Sequence, residues 1–277
     1  MKKYDAIVIG AGHNGLTNGA YLAKAGLDVL VVEKNPYIGG ATVSRELHEG
    51  WKYSNCSYVC SLLRPEISRD LNLPKHGLQV IPYVGGVTFT RGGDYFGNYD
   101  DHERQYREMA RHSKRDANAY ERYTADVTKQ TRFIRPFLMR TPPDPTSLKP
   151  RDIGELMFFL KQFYNLGEKT LADTFRFWTM SIADFLDEYF ETDVIKAHLA
   201  GSGIIGTALG VYSPGTAYVL LHHYMGEVDG SVGAWGFARG GMGSVSKALA
   251  GAFQEFGGEI KTDRKSTRLN SSHQIIS

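Results

Sequence analysis

The chain has 277 residues, of which 42% are hydrophobic and 22% are charged, so it can bury the core of one large or two modest domains. It contains no apolar stretch of the roughly 20 residues that a membrane-spanning helix needs. The formal net charge of +2 comes from the end of the chain, because the last fifteen residues carry three basic side chains and one acidic side chain. The rest of the chain is neutral overall, which excludes a general electrostatic attraction to nucleic acid.

The first forty residues predict a nucleotide-binding βαβ unit. An apolar run at 6–9 leads into the glycine-rich segment GAGHNG at 10–15. Small residues at helical spacing follow, and then a second apolar run at 29–32 ends in Glu33. A strand, a glycine turn, a helix, a strand and an acid in this order are the features of the unit that holds the pyrophosphate of a dinucleotide.

Each residue type in this segment has a physical reason. Gly10 allows the tight turn, and Gly12 has no Cβ that would keep phosphates away from the backbone. Gly15 lets the helix lie close to the strand, and the helix N-terminus offers N–H groups and the positive end of its dipole to an anion. Glu33 follows Gly15 by 18 residues, where its carboxylate can accept hydrogen bonds from both hydroxyls of an adenosine ribose and would repel a 2′-phosphate. An ordinary glycine turn would leave the position of Glu33 unexplained.

A second glycine pair, Gly39-Gly40, follows Glu33, and at this point the chain resembles a known family. The stretches GAGHNGL, LAKAGLDVLVVEKNPYIGGATVS, YSNCSYVCSLLRPEI and ARGGMGSVSKALAGAFQEFGGEI resemble the FAD-dependent oxidoreductases that include the phytoene desaturases and the amine oxidases. They are most similar to the phytoene-desaturase-like branch that also holds the pyridine nucleotide-disulfide oxidoreductase domain-containing protein 2 group. The resemblance covers most of residues 1–262.

The resemblance implies that Gly39 and Gly40 let the backbone approach the FAD pyrophosphate a second time. Many members of the family have an arginine next, whereas this chain has Ala41, so no arginine contact is expected. The predicted cofactor-binding residues are Gly10, Gly12, His13, Asn14, Gly15, Glu33, Lys34, Gly39, Gly40 and Ala41. No metal site is predicted.

Short strands and turns are predicted after the βαβ unit. A β-ribbon is expected at 45–53, a short helix at 67–71 after Pro65, strands at 78–83 and 87–90, and a hairpin turn at 91–94. Residues 100–139 are then predicted to form one long helix, because Asp100 and Glu103 have the spacing of a capping box.

The second half of the chain is predicted to be mainly helical. A proline-rich loop at 141–150 precedes helices at 151–166, 170–177, 182–190, 193–200, 215–225 and 244–256, and the strand that follows is expected to start at 257–262. The many aromatic residues of the helix at 151–166 predict core packing and the wall of an apolar pocket. Peripheral contact with a membrane surface is a lesser alternative, since helical insertions of this family sometimes lie on membranes.

We expect an α/β fold in which a Rossmann-like FAD-binding domain carries an inserted, largely helical substrate or cap domain. Residues 1–95 would form the first part of the FAD-binding domain, 96–235 the substrate or cap domain, and 236–262 the return to the FAD-binding domain. The sequence DRKSTRLNSSH from Asp263 resembles the translation of an adapter oligonucleotide. Residues 263–277 are therefore predicted to be a non-native tail, and the chain an N-terminal fragment.

The two cysteines, Cys56 and Cys60, have three residues between them, a spacing that fits neither a CxxC redox pair nor half of a zinc site. We predict two buried thiols in a reducing compartment, and hence a cytoplasmic location.

The resemblance implies FAD as the cofactor and the transfer of a hydride from a C–H bond of a small apolar substrate to flavin N5. Oxygen, a quinone or another acceptor would take the electrons, and the sequence names neither the acceptor nor the catalytic residues. Without later segments that contact adenine and surround the flavin ring in this family, the chain alone is expected to bind FAD weakly or not at all and to lack turnover.

Three other functions remain as alternatives. A dithiol–disulfide flavoenzyme is disfavoured by the cysteine spacing. An NAD-dependent dehydrogenase would explain the residues from Gly10 to Glu33 but would not use Gly39-Gly40. A flavin-free escort protein of the GDP-dissociation-inhibitor type shares the fold, and the intact glycines and Glu33 count against it.

Overall fold

The structure is a computed structural model, and it describes residues 2–264 of the chain. These residues form two compact units. The first unit contains the described residues up to Tyr83 and those from Gly226 onward, and the second unit is Val84–Met225, inserted between these two parts. The first unit combines a parallel sheet with helices, whereas the second is largely helical. The predicted fold class, a Rossmann-like α/β fold with a helical insertion, is confirmed.

The strands are short and belong to small sheets. In chain order they are β1 (Ala6–Ile9), β2 (Val29–Val32), β3 (Ser44–His48), β4 (Trp51–Ser54), β5 (Val80–Pro82), β6 (Gly85–Phe89), β7 (Tyr95–Tyr99), β8 (Glu227–Val228), β9 (Ser231–Val232), β10 (Gly236–Ala238) and β11 (Glu259–Lys261). A parallel sheet has the order β1-β2-β11, with Leu30 of β2 between Ile7 and Glu259. The remaining strands pair antiparallel, β3 with β4, β5 with β10, β6 with β7 and β8 with β9.

The helices of the inserted unit outnumber those of the first unit. In chain order they are α1 (His13–Lys24), α2 (Pro65–Asp70), α3 (His102–His112), α4 (Lys114–Ile134), α5 (Pro150–Leu166), α6 (Glu168–Thr179), α7 (Ile182–Asp187), α8 (Asp193–Ala200), α9 (Thr216–Tyr224) and α10 (Gly243–Glu255). The helices α1, α2 and α10 belong to the first unit. Within residues 2–264, no helix combines the length and the apolar character needed to cross a bilayer.

The core of the first unit forms where α1 and α10 pack against each other and against β2. Leu16 of α1 and Phe253 of α10 are fully buried there, together with Val31 of β2. Gly19 makes the close approach possible, because a Cβ at this position would lie 3.1 Å from the Val31 side chain and 3.4 Å from the Phe253 ring. The helix that starts at the glycine loop is thus fixed by packing along its length.

The core of the second unit is built around Tyr123 of α4. Its ring contacts the rings of Phe185, Tyr189 and Phe190, at centroid distances of 5.9, 5.6 and 5.3 Å. Burial raises the pKa of the Tyr123 hydroxyl well above its usual value. Close by in sequence, the fully buried Asp116 accepts hydrogen bonds from the backbone N–H groups of the two residues before α8, both at 2.9 Å. This carboxylate joins α4 to the start of α8.

The single long helix predicted for 100–139 is wrong, because the structure has two helices with a break at Ser113. Ser113 is extended, with φ −156° and ψ 123°, and its hydroxyl accepts a hydrogen bond from the N–H of Asp116 at 3.2 Å. It therefore caps α4. The cap of the first helix also lies one residue later than predicted, since Asp101, and not Asp100, accepts the N–H of Arg104, at 2.7 Å. Local side-chain caps override the continuous helical pattern here.

Replacing the cap residue tests this break. Ser113→Ala is expected to lower the free energy of unfolding by about 1 kcal/mol, because the N–H of Asp116 loses its acceptor. The matched control is Thr192→Ala, since Thr192 precedes α8 without making a side-chain cap. The control should change stability by less than about 0.5 kcal/mol, and urea unfolding of both variants measures the difference. Equal effects would contradict the capping role of Ser113.

Most other predicted elements are confirmed, including the β-ribbon, the proline-rich loop and the helices from α5 to α10. The segment 201–210 is a 3₁₀ turn at Gly201–Gly203 followed by further turns. The strands β8, β9 and β10 are not predicted from the sequence, because they have only two or three residues each. β10 is held by its pairing with β5, a partner more than 150 residues earlier in the chain.

The predicted domain boundaries, after 95 and after 235, stay a prediction. The boundaries between the two compact units lie between Tyr83 and Val84 and between Met225 and Gly226. The β6–β7 hairpin packs with α3 and α8 of the second unit, whereas β8 to β10 belong to the first unit.

The prediction of two buried thiols is wrong for Cys56, which is exposed, whereas Cys60 is buried and its burial raises the pKa of its thiol. Of the predicted tail, only Asp263 and Arg264 fall within the described residues, and the prediction for 265–277 lies outside them.

Candidate functional site

The glycine loop follows β1 at the end of the parallel sheet. Gly10 has φ +103°, a left-handed conformation that favours glycine, and its N–H donates to the carbonyl of Val32 at 2.7 Å. Gly12 then precedes α1 with ordinary backbone angles, φ −76° and ψ 171°. No side chain caps this helix start and its first turn holds no acidic residue. The N–H groups of the first turn are therefore available to an anionic ligand.

Position 15 requires glycine because a neighbouring backbone atom leaves no room for a side chain, and not because of its backbone conformation. An ideal Cβ at Gly15 would lie 2.1 Å from the carbonyl oxygen of Gly10 and 3.4 Å from the side chain of Val8. Since 2.1 Å is far inside van der Waals contact with a backbone atom, no side chain fits between α1 and the loop. This direct packing holds the first turn of α1 against the end of β1.

Glu33, the residue after β2, is 7% exposed and contacts the glycine loop. Its Oε2 accepts the N–H of Ala11 at 2.8 Å, and its Oε1 accepts the backbone N–H and the side-chain amide of Asn35, both at 2.9 Å. A carboxylate has about four acceptor positions, so these three bonds leave one for a ligand. The expectation that Glu33 accepts both ribose hydroxyls stays a prediction.

The second glycine pair lies beside the first glycine segment. The N–H of Gly39 donates to the carbonyl of Ala11 at 2.9 Å, and a Cβ on Gly40 would lie 3.1 Å from the Cα of Gly12. Both residues have positive φ, +130° for Gly39 and +55° for Gly40. Two segments without side chains thus meet at one place, although 24 or more residues separate them in the sequence.

Hydroxyl groups hold the second pair in position. Thr42 Oγ1 donates to the carbonyl of Gly39 at 2.8 Å, and the hydroxyl of Ser246 on α10 contacts both this carbonyl and Thr42. Thr42, Ser246 and Asn35 are not among the site residues predicted from the sequence. A threonine three residues after a glycine is a local signal for a turn, but nothing in the sequence connects Ser246 to a loop more than 200 residues earlier.

The other predicted site residues lie around the two glycine segments. His13 is the first residue of α1, its Nδ1 is buried without a hydrogen-bond partner among the described residues, and burial lowers the pKa of its imidazole. Burial therefore favours the neutral form of this side chain. Asn14, Lys34 and Ala41 are exposed. The structure brings the backbones of the predicted residues together and leaves these three side chains in contact with solvent.

Comparison with known proteins gives the relatives of this chain. Residues 8–70 match the family described as NAD(P)-binding Rossmann-like domain. Pyridine nucleotide-disulfide oxidoreductase domain-containing protein 2 of Mus musculus is 37% identical over 95% of this chain and 48% of its own length. Phytoene desaturase of Neurospora crassa is 44% identical over 24% of this chain and 11% of its own length. The chain spans about half the length of the curated relatives that match it from end to end.

Solved structures share the fold at low sequence identity. A double mutant of putrescine oxidase superposes with a TM-score of 0.54 at 17% identity, covering 94% of this chain and 51% of the oxidase. RAB GDI from Plasmodium falciparum superposes with a TM-score of 0.52 at 12% identity, covering 94% of this chain and 57% of its own. Putrescine oxidase and RAB GDI therefore share this fold, and the fold alone does not assign a function.

Proposed function

We propose that the chain belongs to the phytoene desaturase and amine oxidase superfamily of FAD-dependent oxidoreductases, and that its two glycine segments and Glu33 bind the adenosine diphosphate half of FAD. The observation that carries this proposal is the meeting of the two glycine segments beside a buried carboxylate. The match of residues 8–70 to the NAD(P)-binding Rossmann-like family supports dinucleotide binding. The choice of FAD as the dinucleotide is our further proposal.

The residues fit the group on three counts. The position beside Gly12 holds no side chain, and a Cβ there would come no closer than 3.8 Å to another protein atom, so it would occupy open space. The first-turn N–H groups of α1 have no cap. The carboxylate of Glu33 keeps one acceptor position, which suits a ribose hydroxyl.

We further propose that the full-length protein oxidises a C–H bond of a small apolar substrate. FAD supplies this chemistry when bound, because its isoalloxazine ring accepts a hydride. The residues of this chain would contribute binding: the glycine loops would accept the phosphates, and Glu33 would orient the ribose. A flavin gives a use to the second glycine pair, which a plain NAD site does not require.

The flavin spectrum of the purified full-length protein tests the proposal. We expect the visible absorption bands of oxidised flavin, released on denaturation as FAD rather than FMN. A colourless protein that cannot be reconstituted with FAD would favour the escort function, and retention of NAD in its place would favour the dehydrogenase. Either result would overturn the flavoenzyme proposal.

Gly12→Ala separates nucleotide binding from folding. The added methyl group would make only ordinary contact, 3.8 Å from the Cα of Gly40, and alanine is a poorer N-cap than glycine, so the free energy of unfolding should fall by no more than about 1 kcal/mol. The same methyl group would occupy the space proposed for the phosphates, so FAD affinity should fall about tenfold or more. Equilibrium dialysis of the full-length protein with FAD and urea unfolding provide the two measurements. Unchanged affinity would contradict the placement of the pyrophosphate at Gly12.

A further inference from the structure

A surface cavity of about 520 Å³ lies in the first unit, close to the second glycine pair. Its walls come from the loop after Glu33, the start of β3, the first two turns of α10 and the residue after β11. This volume is within the range of about 300–1,000 Å³ that is typical of small-molecule sites. None of the described lining residues belongs to the two glycine segments, and Glu33 is not one of them. The cavity is therefore separate from the space proposed for the nucleotide.

Two basic side chains line this cavity without a carboxylate partner. Arg45 of β3 lies over the ring of Tyr37, with 5.1 Å between the guanidinium carbon and the ring centroid. Lys247 lies one turn after Gly243, the first residue of α10, and both line the cavity. Within residues 2–264, neither basic side chain makes a salt bridge. Their positive charges are therefore available to a ligand.

The acidic side chain among the described lining residues already has a hydrogen bond of its own. Glu46 accepts the N–H of Gly50 at 2.9 Å, a bond within the β3–β4 hairpin. Two cations and one carboxylate leave a net charge of +1 around the cavity. The positive end of the α10 dipole adds to this charge, because α10 begins at a lining residue. The cavity therefore favours an anion.

The remaining walls are suited to an organic group. Pro36, Ile38 and Val43 contribute aliphatic surface, and the ring of Tyr37 is 38% exposed. The cavity is more than ten times larger than the roughly 30 Å³ that one water molecule takes up in the liquid. A small inorganic ion would leave most of this space and all of the apolar wall without contact. An anion with an organic body fits the cavity better.

We propose that this cavity binds an organic phosphate monoester, at a site separate from that of the dinucleotide. The phosphate group lies between Arg45 and Lys247, where the guanidinium donates two parallel hydrogen bonds and the ammonium acts as a point charge. The organic group contacts Tyr37 and Val43. A phosphate monoester carries about −1.5 to −2 charges at pH 7 and so matches two cations, whereas a carboxylate brings a single charge.

Isothermal titration calorimetry with phenyl phosphate tests the proposal on the full-length protein, both without FAD and with FAD added. Because one titration is made without FAD, its outcome does not depend on flavin binding. We expect phenyl phosphate to bind equally in both conditions, and inorganic phosphate to bind about tenfold more weakly because it lacks the apolar contacts. Arg45→Gln and Lys247→Gln should each weaken the binding of phenyl phosphate about tenfold or more, since each removes a charged hydrogen-bond donor.

The matched control is Lys52→Gln in the same hairpin. Lys52 of β4 is exposed and pairs with Glu46 across the hairpin, but it is not one of the lining residues. The substitution removes one positive charge near the cavity without removing a contact, so affinity should change by less than about twofold.

Four results would overturn the proposal. The first is that phenyl phosphate does not bind, and the second is that Lys52→Gln weakens its binding as much as Arg45→Gln does. The third is that inorganic phosphate binds as tightly as phenyl phosphate, which would remove the organic group from the recognition. The fourth is that FAD displaces phenyl phosphate, which would assign the cavity to the nucleotide site.

Discussion

Gly15→Ala is expected to lower the free energy of unfolding by about 3 kcal/mol or more. The added Cβ would lie 2.1 Å from the carbonyl oxygen of Gly10, and a backbone oxygen cannot rotate away as a flexible side chain can. Either α1 must move away from the loop or the turn at Gly10 must open. Because α1 is also packed through Gly19 against β2 and α10, a shift of the helix would disturb the core of the first unit.

A second helical glycine provides the control for this prediction. Gly154 lies in α5, and a Cβ there would meet no atom within 4 Å. Gly154→Ala should therefore raise the free energy of unfolding by about 0.5–1 kcal/mol, since alanine favours the helix over the unfolded chain. Urea unfolding of the two variants should move the midpoints in opposite directions. A loss below about 1 kcal/mol for Gly15→Ala would contradict the direct contact between α1 and the glycine loop.

The βαβ unit could be predicted from sequence because its determinants are local. The apolar strands, the glycine turn and Glu33 all lie within the first 33 residues, and the elements begin and end close to the predicted positions. The break at Ser113 was missed although its signal is also local. The residues on both sides of Ser113 favour a helix, so the sequence pattern reads as continuous. The structure shows that Ser113 instead caps a new helix, because its hydroxyl accepts the N–H of Asp116.

The arrangement around the second glycine pair could not be predicted, because it depends on contacts between distant parts of the chain. The hydroxyl of Ser44 accepts the N–H of Gly243, and the hydroxyl of Ser54 accepts the N–H of Met242, so the β3–β4 hairpin supplies acceptors for the start of α10. The same helix then presents Ser246 to Gly39. Sequence patterns predict α10 as a helix, but they do not say which hairpin caps it.

Glu33→Gln should lower the free energy of unfolding by about 2–3 kcal/mol even in the absence of nucleotide. Both carboxylate oxygens of Glu33 face N–H donors, that of Ala11 on one side and those of Asn35 on the other. A glutamine amide has one oxygen and one NH₂ group, so either orientation of the amide places a donor against a donor. With Glu33 7% exposed, water has little access to relieve this contact.

The matched control for Glu33→Gln is Glu46→Gln in the β3–β4 hairpin. Glu46 is exposed, and its carboxylate accepts a single hydrogen bond, from the N–H of Gly50 at 2.9 Å. A glutamine can keep that bond with its oxygen and turn its NH₂ toward water, so stability should change by less than about 0.5 kcal/mol. Equal losses in the two variants would show that Glu33 is not held between two sets of donors. Glu33 would then be free to turn toward a ligand.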